Sequence, residues 1–91
     1  MTMQCYVYKG ARKDDHYLYL PERYEANQNP VPEAVLGLLG DLYFVTEFDL
    51  HEGKKLAQAD PVQVILDLQE QGFYLQMPRE NQHDLEDQYF N

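Results

Sequence analysis

The sequence predicts an α/β fold: a single-domain α/β/α sandwich with a small mixed or antiparallel sheet of about four strands and helices on both faces. Three observations support this. The chain has 91 residues, 44% hydrophobic and 25% charged, which is typical of one globular domain with a modest core. Four short segments have strand character, and two have helix end signals. The strands carry apolar residues on both faces, so both faces should be covered.

The first two strands are predicted within "QCYVY" and "HYLYL", where Cys, Val or Leu alternates with Tyr. The charged segment between them, "KGARKDD", predicts an exposed loop that closes an antiparallel hairpin. The alternation places four tyrosines on one face of this hairpin: Tyr6, Tyr8, Tyr17 and Tyr19. Such a face can stack nucleobases, but packing beneath a helix explains the same pattern.

A short helix is predicted in "VPEAVLGLLG", with Pro32 in the first turn and Gly40 as the C-terminal cap. Its apolar stripe is predicted to comprise Ala34, Val35, Leu38 and Leu39. The aromatic and β-branched run that follows, "DLYFVTEFDL", predicts a strand over 42–48 that lies inside the sheet.

The second helix has the clearest local signals. Asp60 can cap it, Pro61 suits its first position, Gln63 has capping-box spacing, and Gly72 ends it. The apolar arc of this helix is expected to lie on the sheet. The next segment, "FYLQM", is predicted to be the last strand, stopped by Pro78. The α/β domain is therefore assigned to 1–78, and 79–91 to an acidic tail that is either a frayed helix or disordered.

Charge and cysteine content restrict the class of function. Seven Lys and Arg against 16 Asp and Glu give a net charge of −9, which disfavours nonspecific nucleic-acid binding, although a local basic patch can still bind RNA. Cys5 is the only cysteine, so an intrachain disulfide is excluded. We expect no secretory leader and no membrane span, and hence a cytoplasmic protein.

Several motifs occur in a fixed order between residues 5 and 78: "CYVYKG", "YLYL", "VPEAVLGLLG", "KKLAQAD" and, the most specific, "GFYLQMP". With these motifs the sequence resembles the YcgL domain family of proteobacterial proteins. The resemblance implies an α/β/α sandwich and no established reaction. The chain departs from the family pattern at Lys9 and Lys55, where arginine is expected, and at Arg79, where proline is. The two lysines lack the planar fork that binds anions bidentately.

Two loops contain candidate contacts for an anion or a partner protein. Lys9, Arg12 and Lys13 follow the first strand, and Lys54 and Lys55 follow the third. If the fold brings the two loops to one edge, these residues form a local anion site. The alternative is that they are solvated loop charges, offset in the first loop by Asp14 and Asp15.

The remaining signals predict no catalytic, cofactor-binding or metal-binding residues, and no cofactor. His16, His51 and His83 occur in separate segments without the spacing of a helical metal pair. Cys5 lies in a predicted buried strand, where cysteine behaves as a small hydrophobe. No phosphate-binding glycine loop, nucleophile elbow or dinucleotide fingerprint is present.

The acidic tail contains Tyr89 and Phe90, and acidic segments with aromatic residues can dock in basic, apolar grooves of partners; an ordinary solvated terminus is the alternative. Taken together, the sequence favours a non-catalytic interaction or regulatory module that acts through a protein partner. An RNA-associated factor that binds phosphates through the basic loops is the second hypothesis, and a small enzyme is the third.

Overall fold

The computed structural model describes residues 2–56 and 59–77. In chain order the elements are β1 (Met3–Gly10), β2 (Tyr17–Leu20), α1 (Glu33–Leu39), β3 (Leu42–Leu50), α2 (Pro61–Glu70) and β4 (Tyr74–Gln76). The four strands form one sheet in the order β3-β1-β2-β4, and every neighbouring pair is antiparallel. The predicted α/β fold with a four-stranded sheet is thereby confirmed.

The two helices pack on opposite faces of the sheet, because alternate residues of the central strands point to opposite sides. The buried cluster on the α2 face consists of Cys5, Val7, Tyr19, Leu50, Val64 and Leu68. The buried cluster on the α1 face consists of Tyr8, Leu18, Leu20, Val31 and Leu39. The predicted coverage of both faces is therefore confirmed, and the hydrophobic residues divide between two thin layers.

The register of the β1–β2 hairpin separates the four tyrosines. Tyr6 and Tyr8 pair with Leu20 and Leu18, Tyr19 pairs with Val7, and Tyr17 pairs with Lys9, so no tyrosine of one strand faces a tyrosine of the other. Tyr6 and Tyr8 lie on the α1 face, whereas Tyr17 and Tyr19 lie on the α2 face. The expectation of a single tyrosine face is wrong. Because both faces of these strands are apolar, the alternation alone did not fix the register.

The third strand forms an edge of the sheet, so the expectation that 42–48 lie inside it is wrong. Among the described strands, only β1 lies beside β3. Tyr43, Phe44 and Val45 are 60%, 49% and 47% exposed. The register with β1 shifts between Val7 and Tyr8, which leaves Val45 as the extra residue of a β-bulge. High strand propensity reflects a pleated, half-buried surface and does not require a central position.

The contact between α1 and the sheet depends on Gly10. A Cβ atom at Gly10 would lie 2.6 Å from the Leu39 carbonyl oxygen, so the end of α1 approaches β1 more closely than any side chain permits. This approach centres the buried arc of α1 on Leu39, with Val35 and Leu36 beside it. The predicted stripe is corrected accordingly: Leu36 packs inward, while Ala34 and Leu38 are exposed.

The second helix begins and ends as predicted, apart from one detail. Asp60 Oδ1 accepts a hydrogen bond from the Val62 N–H at 3.0 Å, and Gly72 follows the helix with φ +86°. The capping box is not formed, since the Gln63 side chain donates instead to Asp67 Oδ1 at 2.8 Å. In the apolar arc, Val64 and Leu68 are buried on the sheet, whereas two neighbours remain partly exposed, Val62 and Leu66.

The tail 79–91, with the candidate contacts Tyr89 and Phe90, and the strand stop predicted at Pro78 lie outside the described residues. Their assignments remain predictions. In the residues that the structure does describe, no helix combines the length and apolar character needed to cross a membrane.

Candidate functional site

The two basic loops lie at opposite ends of the sheet. Gly10, at the start of the first loop, pairs with Leu42, whereas Met3 pairs with Leu50, which precedes the second loop. The two ends of β1 are separated by about 23 Å at the usual rise per strand residue. The five basic residues therefore do not form one anion site, and the condition on which that hypothesis depended is not met.

Arg12 has a structural contact in the fold. Its Nη1 donates to the Gly37 carbonyl oxygen at 3.1 Å, near the C-terminal end of α1, where carbonyls lack helical partners. Its backbone N–H donates to the Leu39 carbonyl oxygen at 2.9 Å. Its methylene groups fill the space beside Gly40, which adopts φ +75°. Arg12 thus ties the β1–β2 loop to α1.

Lys9 and Lys54 both belong to the α2 face, and Lys9 lies within β1 and not in the loop where the sequence placed it. Lys9 pairs with Tyr17 and Tyr43, and directly opposite residues point to the same side of a sheet. Lys54 Nζ lies 4.9 Å from the centre of the Phe48 ring, within cation–π range. Lys13 and Lys55 are exposed, and neither forms a salt bridge with another described residue.

An open groove of about 380 Å³ lies between these two lysines on the α2 face. It crosses all four strands and is lined by Val7, Tyr17, Tyr19, Val45, Thr46, Phe48 and Gln76. Tyr17, at one end of the groove, is the hairpin partner of Lys9, and Phe48, at the other end, contacts Lys54 through its ring. The two ammonium groups are therefore assigned to opposite margins of the groove. Its volume lies in the lower part of the range of about 300 to 1,000 Å³ for ligand pockets.

The groove has a polar wall made by Gln76 and Tyr19. The Tyr19 hydroxyl donates to Gln76 Oε1 at 2.6 Å, and both side chains are buried. The Gln76 amide nitrogen has no hydrogen-bond partner among the described residues, and Gln76 lines the groove. Burial first, and then the nearby ionisable groups Cys5, Tyr74 and Tyr17, raise the pKa of Tyr19 to about 12. Tyr19 therefore remains a hydrogen-bond donor at neutral pH.

The free energy of unfolding should decrease at high pH, because two weakly acidic groups, the Cys5 thiol and the Tyr19 hydroxyl, are buried on this face. Burial raises the pKa of Cys5 to about 12 from 9.0, and Tyr19 to about 12 from 10.0. The unfolded chain releases these protons first, so their contribution to stability is complete below pH 9 and is lost as the pH approaches 12. We expect the urea unfolding free energy to fall by on the order of 2 kcal/mol or more between pH 9 and 11. Tyr19→Phe should fall less steeply above pH 10; an identical slope would contradict this assignment.

On the opposite, α1 face of β3, two aromatic rings pack around the Arg23 side chain. The Arg23 guanidinium lies 5.3 Å from the centre of the Tyr6 ring and 5.7 Å from that of Phe44. Its Nη2 is also 3.6 Å from Glu47 Oε1, an exposed ion pair of small energetic value. Glu47 consequently lies on the α1 face, away from the groove.

The structure also places the other groups that the sequence singled out. Cys5 is fully buried, and its raised pKa keeps it a thiol at neutral pH. His16 is 8% exposed, and its Nδ1 has no hydrogen-bond partner among the described residues. His51 is exposed. Within 2–56 and 59–77, no three His, Cys, Asp or Glu side chains are grouped so as to hold a metal ion.

Comparison with known proteins agrees with the motifs. The family model described as the YcgL domain matches residues 5–79. The chain belongs to the YcgL domain family. A YcgL domain-containing protein of Thioalkalivibrio sulfidiphilus is 42% identical over 83 residues, which cover 91% of this chain and 100% of that protein. One from Stenotrophomonas maltophilia is 46% identical, covering 84% and 86%, and one from Vibrio cholerae is 40% identical, covering 84% and 79%.

Sequence reasoning identified Lys9 and Lys54, the lysines at the margins of the groove in this YcgL domain, but it missed the groove between them. Thr46 and Gln76 were not among the predicted contacts, and Val45 was expected inside the sheet. The signal that was available is the interruption of the β3 run by Thr46, together with Gln76 inside an otherwise apolar final strand. A polar residue at such a position often faces a cavity or a bound group, because its burial requires a partner.

Proposed function

We propose that this YcgL domain is a non-catalytic protein-interaction module of the bacterial cytoplasm, and that it binds a short segment of a partner protein in the groove. The observation that supports this is the groove itself. It is an open, largely apolar and aromatic surface of about 380 Å³ with a lysine at each margin. Aromatic surfaces with a polar rim are typical of protein contacts.

The exposed edge of β3 extends this surface. Val45 lines the groove and is 47% exposed, Tyr43 of the same strand is 60% exposed, and the outer side of β3 has no strand beside it among the described elements. An unpaired edge offers backbone donors and acceptors to an extended segment. The RNA-associated alternative has less support, since the basic loops are separated and Arg12 is engaged by α1.

A pull-down from native lysate tests the proposal with one groove variant and one matched control. Thr46→Glu places a carboxylate in the groove at an exposed position. Leu38→Glu places a carboxylate at an exposed position of α1, on the other face of the sheet. We expect a partner that survives nuclease treatment and is retained by Leu38→Glu, but whose recovery falls about tenfold with Thr46→Glu.

Equal recovery by both variants, with their folding verified by circular dichroism, would contradict a groove-based function. Loss of all bound material on nuclease treatment would instead make RNA the ligand. A chain ending at residue 78 tests separately whether the tail with Tyr89 and Phe90 contributes to binding, as the sequence predicts.

A further inference from the structure

We propose that the groove selects an extended segment with two acidic side chains about four residues apart and an apolar or aromatic residue midway between them. This inference rests on the proposed function and specifies the chemistry of the partner. Three features of the groove support it: the charge of its margins, the amide donor of Gln76 and its apolar floor.

The charged side chains assigned to the two margins of the groove are both lysines, although the protein is acidic. None of its seven lining residues is acidic, although the chain contains 16 Asp and Glu against seven Lys and Arg. Lys9 pairs only weakly with Asp14, at 3.8 Å, and the Asp14 side chain is 84% exposed, so an incoming carboxylate can replace it. This arrangement of charge favours an acidic segment and disfavours a basic one.

The hydrogen-bonding groups of the groove also favour an acceptor-rich ligand. Gln76 Oε1 is occupied by the Tyr19 hydroxyl, which leaves the amide nitrogen of Gln76 as a donor without a partner among the described residues. The lysine ammonium groups are donors only. A peptide carbonyl or a carboxylate can accept a hydrogen bond from this amide donor.

The positions of the lysines set the spacing. Lys9 lies four residues along β1 from Cys5, the residue that pairs with Phe48 beneath Lys54. Four residues of extended chain span about 13 Å, so acidic residues about four apart reach both margins. Alternate side chains of an extended segment point to one side, which directs the middle residue toward the floor formed by Val7 and Phe48. A second copy of this chain is a poor occupant, because two proteins of charge −9 repel each other.

Selection from a display library of random seven-residue peptides tests the inference on the immobilised full chain. The wild type should enrich Asp or Glu at two positions four apart around an aromatic or aliphatic residue. The double variant Lys9→Glu with Lys54→Glu should reverse this preference toward Lys and Arg, and should bind a selected acidic peptide about tenfold more weakly. The matched control is Lys13→Glu with Lys55→Glu, which changes the net charge equally at exposed positions near Lys9 and Lys54 in the chain and should keep the acidic preference.

Each other result decides against the inference. An unchanged preference in the groove variant, or equal loss of acidic preference in the control, would overturn it. Enrichment of apolar peptides without acids, abolished by Thr46→Glu, would overturn the acidic pattern while supporting the proposed function. Binding that is insensitive to Thr46→Glu, or no enrichment at all, would overturn both.

Discussion

Replacing Gly10 with alanine should lower the free energy of unfolding by about 1 to 3 kcal/mol, because overpacking a closed contact typically costs that much. The new Cβ would lie 2.6 Å from the Leu39 carbonyl oxygen, 2.7 Å from Leu39 Cβ and 2.9 Å from Leu39 Cα. Two of these atoms are backbone, so a change of side-chain rotamer cannot relieve the clash. The end of α1 must move away from the sheet, which opens the α1-face cluster. Urea unfolding followed by circular dichroism measures the loss.

Gly37→Ala is the matched control for this substitution. No heavy atom lies within 4 Å of a Cβ built at Gly37, and the residue is inside α1 with no positive φ. Alanine there should raise the unfolding free energy by about 0.5 to 1 kcal/mol, since it restricts the unfolded chain and favours the helix. If Gly10→Ala were as stable as the wild type, α1 would not be seated against β1 as described.

Leu39→Ala should destabilise the protein by about 2 to 5 kcal/mol, as is usual for a buried leucine whose removal leaves a cavity. Leu39 is fully buried between α1 and the sheet. Leu38→Ala is an unusually close control because Leu38 is the adjacent residue of the same helix and is 38% exposed. Both variants have the same change in helix propensity, so the difference between them isolates burial.

We expect Leu38→Ala to change the unfolding free energy by less than about 1 kcal/mol. The same chemical denaturation series measures both variants. Equal losses would mean that α1 presents the two leucines equally to the core, as the stripe predicted from sequence had it. A larger loss for Leu38→Ala would reverse the orientation of α1 found in the structure.

The sequence was sufficient for the local elements of the fold. Alternation defined β1 and β2, and Asp60, Pro61 and Gly72 correctly marked the ends of α2, because these signals act within a few residues of chain. The sequence was insufficient wherever long-range contacts decide. The hairpin register, which places Tyr17 and Tyr6 on different faces, depends on how both apolar faces are covered, and the alternation allows either arrangement.

The candidate site shows the same division. Lys9 and Lys54 were recognised as basic loop residues, but only the strand pairing of Lys9 and the contact of Lys54 with the Phe48 ring reveal that both belong to one face. The groove joins residues of all four strands, from Val7 to Gln76. No local pattern brings such distant positions together, so their spacing in sequence contained no direct sign of a common surface.

The strand order has a consequence for synthesis of the protein. Of the described strands, the two that come first in the chain occupy the centre of the sheet, while the outer strands come later, from Leu42–Leu50 and Tyr74–Gln76. The nascent hairpin can form at once from local contacts, but it then has apolar residues on two faces and two open edges until much later residues emerge. An isolated hairpin is marginally stable in water. Productive folding therefore waits for β4, and a partly synthesised chain exposes apolar faces and open strand edges that favour aggregation.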